Sequence, residues 1–177
     1  MLISAVELKG GEIISLESGA SIGEIREPIV DPENGKVLAF DIGTGFLAKR
    51  LILSANDIIE WQRNSLIVYG MNVLVEPTEV KRVLDLIKKR FKLIGKRATT
   101  QKGVALGRVS DIYIDTTTGM VAKYNLSHHI LMSFLDEGRI IPANMVVKID
   151  NKKGVIFKDS VAEGDKGKAA ETKTATA

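Results

Sequence analysis

Asp41-Ile42-Gly43-Thr44-Gly45 matches the phosphate loops of the actin and sugar-kinase type, in which glycine amides cradle phosphate oxygens. Such a loop needs a large α/β domain to position a nucleotide. Here it ends a strand of a short β-rich stretch and is not repeated in Asn125-Leu126-Ser127-His128, so a plain glycine-rich turn is the favoured reading. His128 and His129 are the only histidines. Neighbours on a strand point to opposite faces, so the pair is badly placed to chelate one ion. A closed zinc site wants four N, S or O ligands. No cysteine exists to complete one, and Asp136 and Glu137 follow only after an apolar run. Nucleophile, base and metal ligands therefore do not converge. No catalytic residue, cofactor or metal is expected, and the chain reads as a non-enzyme. Asn125-Leu126-Ser127 fits a glycosylation acceptor, which has meaning only in a secreted protein.

Two stretches have the chemistry of binding instead. Ile130, Leu131, Met132, Phe134 and Leu135 make an apolar tip that either projects as a protein contact or folds back as core. Lys81, Arg82, Lys88, Lys89 and Lys92 make a basic face with three readings: a solvated helix surface, a site for an anionic partner or membrane surface, or a phosphate contact for nucleic acid. Scattered aromatics provide no stacking platform for the last.

Charge placement sharpens this. Residues 1–76 carry a net −5, residues 77–97 a net +6, and residues 98–177 a net +2. The basic balance thus comes mostly from one short segment rather than from the diffuse coat usual in nucleic-acid binders. Absence of cysteine excludes disulfides, thiolate sites and cysteine nucleophiles. Met1 to Glu7 lacks the basic end and apolar stretch of a secretory signal, and no run reaches the roughly 18 apolar residues of a spanning helix. A cytoplasmic protein is expected, touching a membrane only peripherally.

The elements that position these residues come in two copies. A shift of 84 lays Ser15–Ile42 on Thr99–Leu126 without a gap, matching Gly19 with Gly103, Gly23 with Gly107, Asp31 with Asp115 and Gly35 with Gly119. Beyond, the shift becomes 88 and Ala55-Asn56 falls on Ala143-Asn144, with four extra residues in the second copy between His128 and Gly138. An internal repeat constrains the fold before any local assignment. Asp31 to Gly35 and Asp115 to Gly119 are hairpin turns, each with an Asp that bonds turn amides and a Gly suited to φ > 0. Strands are predicted near 22–30, 36–42, 46–53, 58–61 and 65–70, then 120–126, 139–142, 146–149 and 154–158. So many short strands suggest small closed barrels. Pro77-Thr78-Glu79 opens one helix whose Val80, Val83, Leu84, Ile87 and Phe91 share a face of about 100°, ending at Gly95. After Val161 no apolar side chain exceeds Ala, and a disordered tail is predicted.

Gly19-x3-Gly23-x7-Asp31-Pro32-x2-Gly35-Lys36-Val37, with Ile141-Pro142-Ala143-Asn144 closing the second copy, resembles the PRC-barrel family, over Ile3–Glu76 and Leu93–Asp159. That family is named after the reaction-centre H subunit and is similar to the C-terminal domain of a ribosome-maturation factor. The first copy departs at Leu53-Ser54, and the second lacks the Asp-Pro turn. The resemblance implies a binding or assembly module and brings no catalytic residues. The expected architecture is mainly β: a first barrel at 1–76, an amphipathic basic linker helix at 77–94, a second barrel at 95–161 and a tail at 162–177. The expected function is a protein-binding scaffold or adaptor at a membrane face, with RNA- or ribosome-associated assembly as the alternative. Expected partners are another protein, an anionic membrane, a second copy of the chain and, less favoured, RNA.

Overall fold

The computed structural model describes residues 1–43, 50–127 and 138–162. Along the chain run β1 (Leu2–Ser4), α1 (Ala5–Leu8), β2 (Glu12–Ser15), β3 (Ser21–Val30), β4 (Val37–Gly43), β5 (Leu51–Ser54), β6 (Ile58–Gln62), β7 (Ser65–Val68) and β8 (Leu74–Val75). Then follow α2 (Lys81–Lys88), β9 (Arg97–Thr100), β10 (Ala105–Asp115), β11 (Met120–Ser127), β12 (Arg139–Pro142), β13 (Val146–Asp150) and β14 (Gly154–Phe157). The protein is mainly β, in two curled half-barrel sheets. One has the order β6-β7-β2-β3-β4-β5-β8, the other β13-β14-β9-β10-β11-β12 with β1 added on β10. Apart from β8 and β1 the two orders are the same, element for element. Each holds one parallel pair, β2 with β7 and β9 with β14, among antiparallel neighbours.

Both hairpins turn in the same way. The Gly35 amide donates to the Asp31 carbonyl and the Gly119 amide to the Asp115 carbonyl, each at 2.8 Å. Asp31 Oδ1 accepts from the Glu33 amide and Asp115 Oδ1 from the Thr117 amide, each at 3.0 Å. Gly35 and Gly119 have φ of 75° and 68°, the left-handed region that penalises a side chain.

The gapless match fails before Gly19. Ser15 and Thr100, both 2% exposed, fill one role: each receives or makes the turn bonds that precede β3 and β10. The Ser15 amide donates to Ala20, five residues on, whereas the Thr100 amide donates to Val104, four on. The second turn is thus one residue shorter, and β9 lies 85 positions, not 84, beyond β2. Burial shows why: the in-facing Ile13 and Ser15 correspond to the in-facing Ala98 and Thr100, and a one-residue slip would turn every side chain to the wrong face.

Each sheet holds an edge-to-face aromatic pair. Phe40 of β4 meets Trp61 of β6 edge-on with centroids 5.5 Å apart, and Tyr124 of β11, the counterpart of Phe40, meets Phe157 of β14 at 5.7 Å. Two compact units result: Met1–Lys92 with Asp111–Ala122, and Leu93–Ser110 with Lys123 onward. In the first unit Ser4 caps α1 and gives its hydroxyl to Asp111 at 2.5 Å, while the Val6 amide donates to the same carboxylate at 3.1 Å.

Candidate functional site

The basic segment is built differently from its helical-wheel reading. Glu76 and Glu79 form a capping box around a single 3-10 turn, Pro77–Glu79; Val80 is extended; α2 then runs for only two turns. It stops at Lys89 in a Schellman closure: the Phe91 amide reaches the Leu86 carbonyl at 3.0 Å and the Arg90 amide the Ile87 carbonyl at 2.9 Å. Arg90 sits at φ 50° where glycine is usual. The expected helix over 77–94 ending at Gly95 is therefore too long. Its apolar face also shifts: Val83 and Leu86 are buried against Ile29, Ala39 and Ile52, with Val80, Ile87 and Phe91 partly buried around them. Leu86, rather than Leu84, completes the buried stripe beside Val83.

Arg82 grips Asp31 with both arms, Nε to Oδ2 at 3.1 Å and Nη2 to Oδ1 at 2.6 Å, and Nη2 also lies 2.8 Å from Glu33 Oε1. Lys92 Nζ lies 2.7 Å from Glu27 Oε1. Arg82 and Lys92, read from the sequence as contacts for an anionic partner, are each ion-paired within the chain: Arg82 joins α2 to the first hairpin, and Lys92, beyond the end of α2, meets Glu27 of β3. The Arg82 guanidinium, against the opposing effect of burial, keeps the Asp31 carboxyl below the usual carboxylate range. Lys81, Lys88 and Lys89 are exposed.

Other candidates are placed as follows. Asp41 is 7% exposed and is held by Arg50 through a bidentate pair at 3.0 and 3.1 Å. Thr44 and Gly45 of the glycine-rich motif lie outside the described residues, as do His128, His129, the 130–135 tip with Ile130, Leu131, Met132, Phe134 and Leu135, and the tail from Glu163. Gly23 and Gly107 lie at register shifts beside β2 and β9; a Cβ on Gly23 would come within 2.8 Å of Ile42 Cγ2. Gly19 and Gly103 have φ of 67° and 83° with open space around them. No group of three or more potential metal ligands occurs among the described residues.

Sequence reasoning missed one surface. Leu16, Tyr69 and Met71 are 58%, 62% and 58% exposed, where β2 and β7 run out side by side. Each is a single apolar residue just past a strand or a glycine, Leu16 after β2, Tyr69 after β7 and Met71 after Gly70, so no sequence pattern marked it as exposed.

The PRC-barrel domain is matched twice along this chain, by residues 1–82 and by residues 88–162. A search of the curated proteins found no match.

Proposed function

Because the chain belongs to the PRC-barrel family, in tandem copies over most of its length, we propose that it is a non-enzymatic scaffold or adaptor that binds another protein, at a membrane face. One observation carries this reading. Every buried carboxylate among the described residues is committed to holding the fold: Asp31 to Arg82, Asp41 to Arg50, and Asp111 to Ser4 and the Val6 amide. Acid–base catalysis needs a group poised to exchange a proton with substrate. A carboxylate gripped by two donors serves architecture better. What the surface offers instead is apolar area at Leu16, Tyr69 and Met71 and a cationic edge at Lys81, Lys88 and Lys89.

The membrane part of the proposal rests on those three lysines. Clustered ammonium groups are drawn to anionic headgroups with about 1 kcal/mol each near the surface. No helix among the described residues is long and apolar enough to cross a membrane. Affinity purification of the tagged full-length chain is expected to bring down one protein in stoichiometric amount, and anionic vesicles to sediment it less well after Lys81, Lys88 and Lys89 are changed to Glu. Retention on RNA that falls steeply with salt, with no protein partner, would instead favour the assembly-factor alternative.

A further inference from the structure

The two repeats carry opposite charge at one equivalent cross-strand pair. In the first, Glu12 of β2 stands opposite Glu24 of β3; in the second, Arg97 of β9 stands opposite Arg108 of β10. The adjoining pairs, Ile13 with Gly23 and Ala98 with Gly107, fix the equivalence. Ile13 and Ala98 are buried, so their charged neighbours point outward. Glu12, Glu24 and Arg97 are exposed, and Arg108 is half-buried. Among the described residues Glu12, Glu24 and Arg97 enter no ion pair, and Arg108 Nη1 donates to the Gly95 carbonyl at 2.9 Å. Like charges directly opposite on neighbouring strands repel and destabilise a sheet. The chain carries that repulsion twice, at one place of the fold and with opposite signs.

The strands alongside keep the contrast. Beyond Glu12 the first row runs to Ser65 and Gln62, and no cation stands in it. Beyond Arg97 the second row runs to Gly154 and Asp150. The Asp150 carboxylate is already engaged, accepting from the Lys152 and Lys153 amides at 2.8 and 2.9 Å. Those two lysines are exposed and add to the basic end, while Arg63 in the matching turn of the first repeat runs against the contrast. The compact units follow the same signs. Met1–Lys92 with Asp111–Ala122 holds 12 Lys and Arg against 15 Asp and Glu, and Leu93–Ser110 with Lys123–Ala177 holds 13 against 7.

We propose that copies of this chain associate through these two pairs, Glu12 and Glu24 of one copy meeting Arg97 and Arg108 of another. Both pairs sit on the same backbone frame, so two carboxylates and two guanidiniums are presented at the same cross-strand spacing and two ion pairs form side by side. Guanidinium binds carboxylate through two parallel hydrogen bonds, which gives the contact orientation as well as attraction. Each copy offers one surface of either sign, so unlike patches meet rather than a patch and its own copy. The repulsion inside each repeat is relieved as the contact forms. Exposed ion pairs are screened by salt, so the association is weak and salt-dependent. Self-association goes beyond the adaptor reading and stands apart from it: a chain that pairs with itself but captures no other protein loses that reading and keeps this one.

Sedimentation velocity of the full-length protein over a concentration series tests this. At about 0.1 M salt the sedimentation coefficient is expected to rise with concentration, and at about 1 M, where the screening length is roughly 3 Å, the rise should vanish. One variant carries Glu12→Arg with Glu24→Arg, another Arg97→Glu with Arg108→Glu. Each keeps a like-charged pair, so melting curves should match the parent. Each alone should associate at least about tenfold more weakly. Mixed in equal amounts they should associate again, because each offers the sign that the other lacks; a folding lesion gives no such rescue. If Arg108→Glu fails to fold for loss of its bond to Gly95, Glu12→Arg and Arg97→Glu as single changes supply the same comparison. A parent that is monomeric at every concentration overturns the proposal, as does association that neither variant weakens or that the mixture does not restore. Retention of a monomeric parent on RNA, lost with Arg97→Glu, assigns the arginines to phosphates and overturns it too.

Discussion

Lys36 and Met120 face each other across an isolated antiparallel bridge, and they are the same position of the two repeats, 84 residues apart. The flanking bonds repeat the relation: the Val37 amide donates to the Gly119 carbonyl at 2.8 Å and the Val121 amide to the Gly35 carbonyl at 2.9 Å. A contact in which each residue meets its own counterpart is isologous, the kind that a two-fold axis makes between identical subunits. Here it is made within one chain and inside one compact unit. The segments ahead of each repeat follow the same exchange. β1 pairs with the second-repeat strand β10, while α2 packs on the first-repeat residues Ile29 and Ala39.

Gly35→Ala and Gly119→Ala should each cost about 1–2 kcal/mol, since both glycines hold φ in the left-handed region. Open space around Gly119 means the penalty there is conformational rather than steric. Because each glycine carbonyl holds the other hairpin's valine amide, Gly35→Ala should also speed hydrogen exchange at Val121. An unchanged Val121 amide would show that the two turns do not open together.

The Asp31–Arg82 pair makes a pH prediction. The folded-state pKa of Asp31 is lowered, first by the Arg82 hydrogen bond. The stability it contributes is therefore present above the ordinary carboxyl range and lost as pH falls through the lowered folded value. Asp31→Asn should flatten the acid limb of a stability–pH curve. Arg82→Met should do so as well, and should destabilise the protein at neutral pH, because a carboxylate only 6% exposed loses its counter-ion.

Arg90 offers a gain. It terminates α2 at φ 50° with the Schellman bonds already formed. Arg90→Gly should remove a left-handed penalty of about 1 kcal/mol, partly offset by the greater freedom of glycine in the unfolded chain. A melting temperature higher by up to roughly 2–4 °C is the expected reading, the upper end holding only without the offset. A lower one would mean that the arginine side chain contributes more than its backbone costs.

Tyr124 governs the alkaline side. Burial pushes its phenol up to about 12. A raised folded-state pKa means stability that is complete below the unfolded value near 10 and is lost as pH rises toward 12. Tyr124→Phe should keep the edge-on packing with Phe157 and abolish that alkaline loss, as followed by tyrosinate absorbance and circular dichroism. If the parent holds its stability past pH 12, the phenol is not the group responsible.

How far the sequence could be read depended on whether one residue type settles one conformation. Gly35, Gly119, Asp31 and Asp115 mark their turns because a left-handed φ and a side chain that bonds turn amides are local demands. The repeat then carried the strand order across the chain. The loop between Ser15 and Gly19 escaped because a one-residue deletion leaves the glycines aligned while it changes the register before them. At the candidate site, cation type was legible and commitment was not: Arg82 and Lys92 look like Lys81 and Lys88 until the hairpin places Asp31 and Glu27 beside them. The exposure of Ile140 was equally hidden, since its counterpart Ile52 is fully buried.

The last prediction separates the helical wheel from the packed helix. On the wheel Leu84 belongs to the buried stripe; in the structure Leu86 is 4% exposed in the cluster with Ile29, Ala39 and Ile52, and Leu84 is only half-buried. Leu86→Ala should therefore cost about 2–4 kcal/mol, the transfer loss plus the cavity left over the hairpin. Leu84→Ala should cost less than about 1 kcal/mol, because a partly exposed leucine loses little on truncation and alanine is the better helix former. Denaturant midpoints with unchanged slopes would measure both. The reverse ranking would turn the buried face of the helix by about 60° toward Leu84, at 100° per residue, and would disturb the Arg82–Asp31 pair.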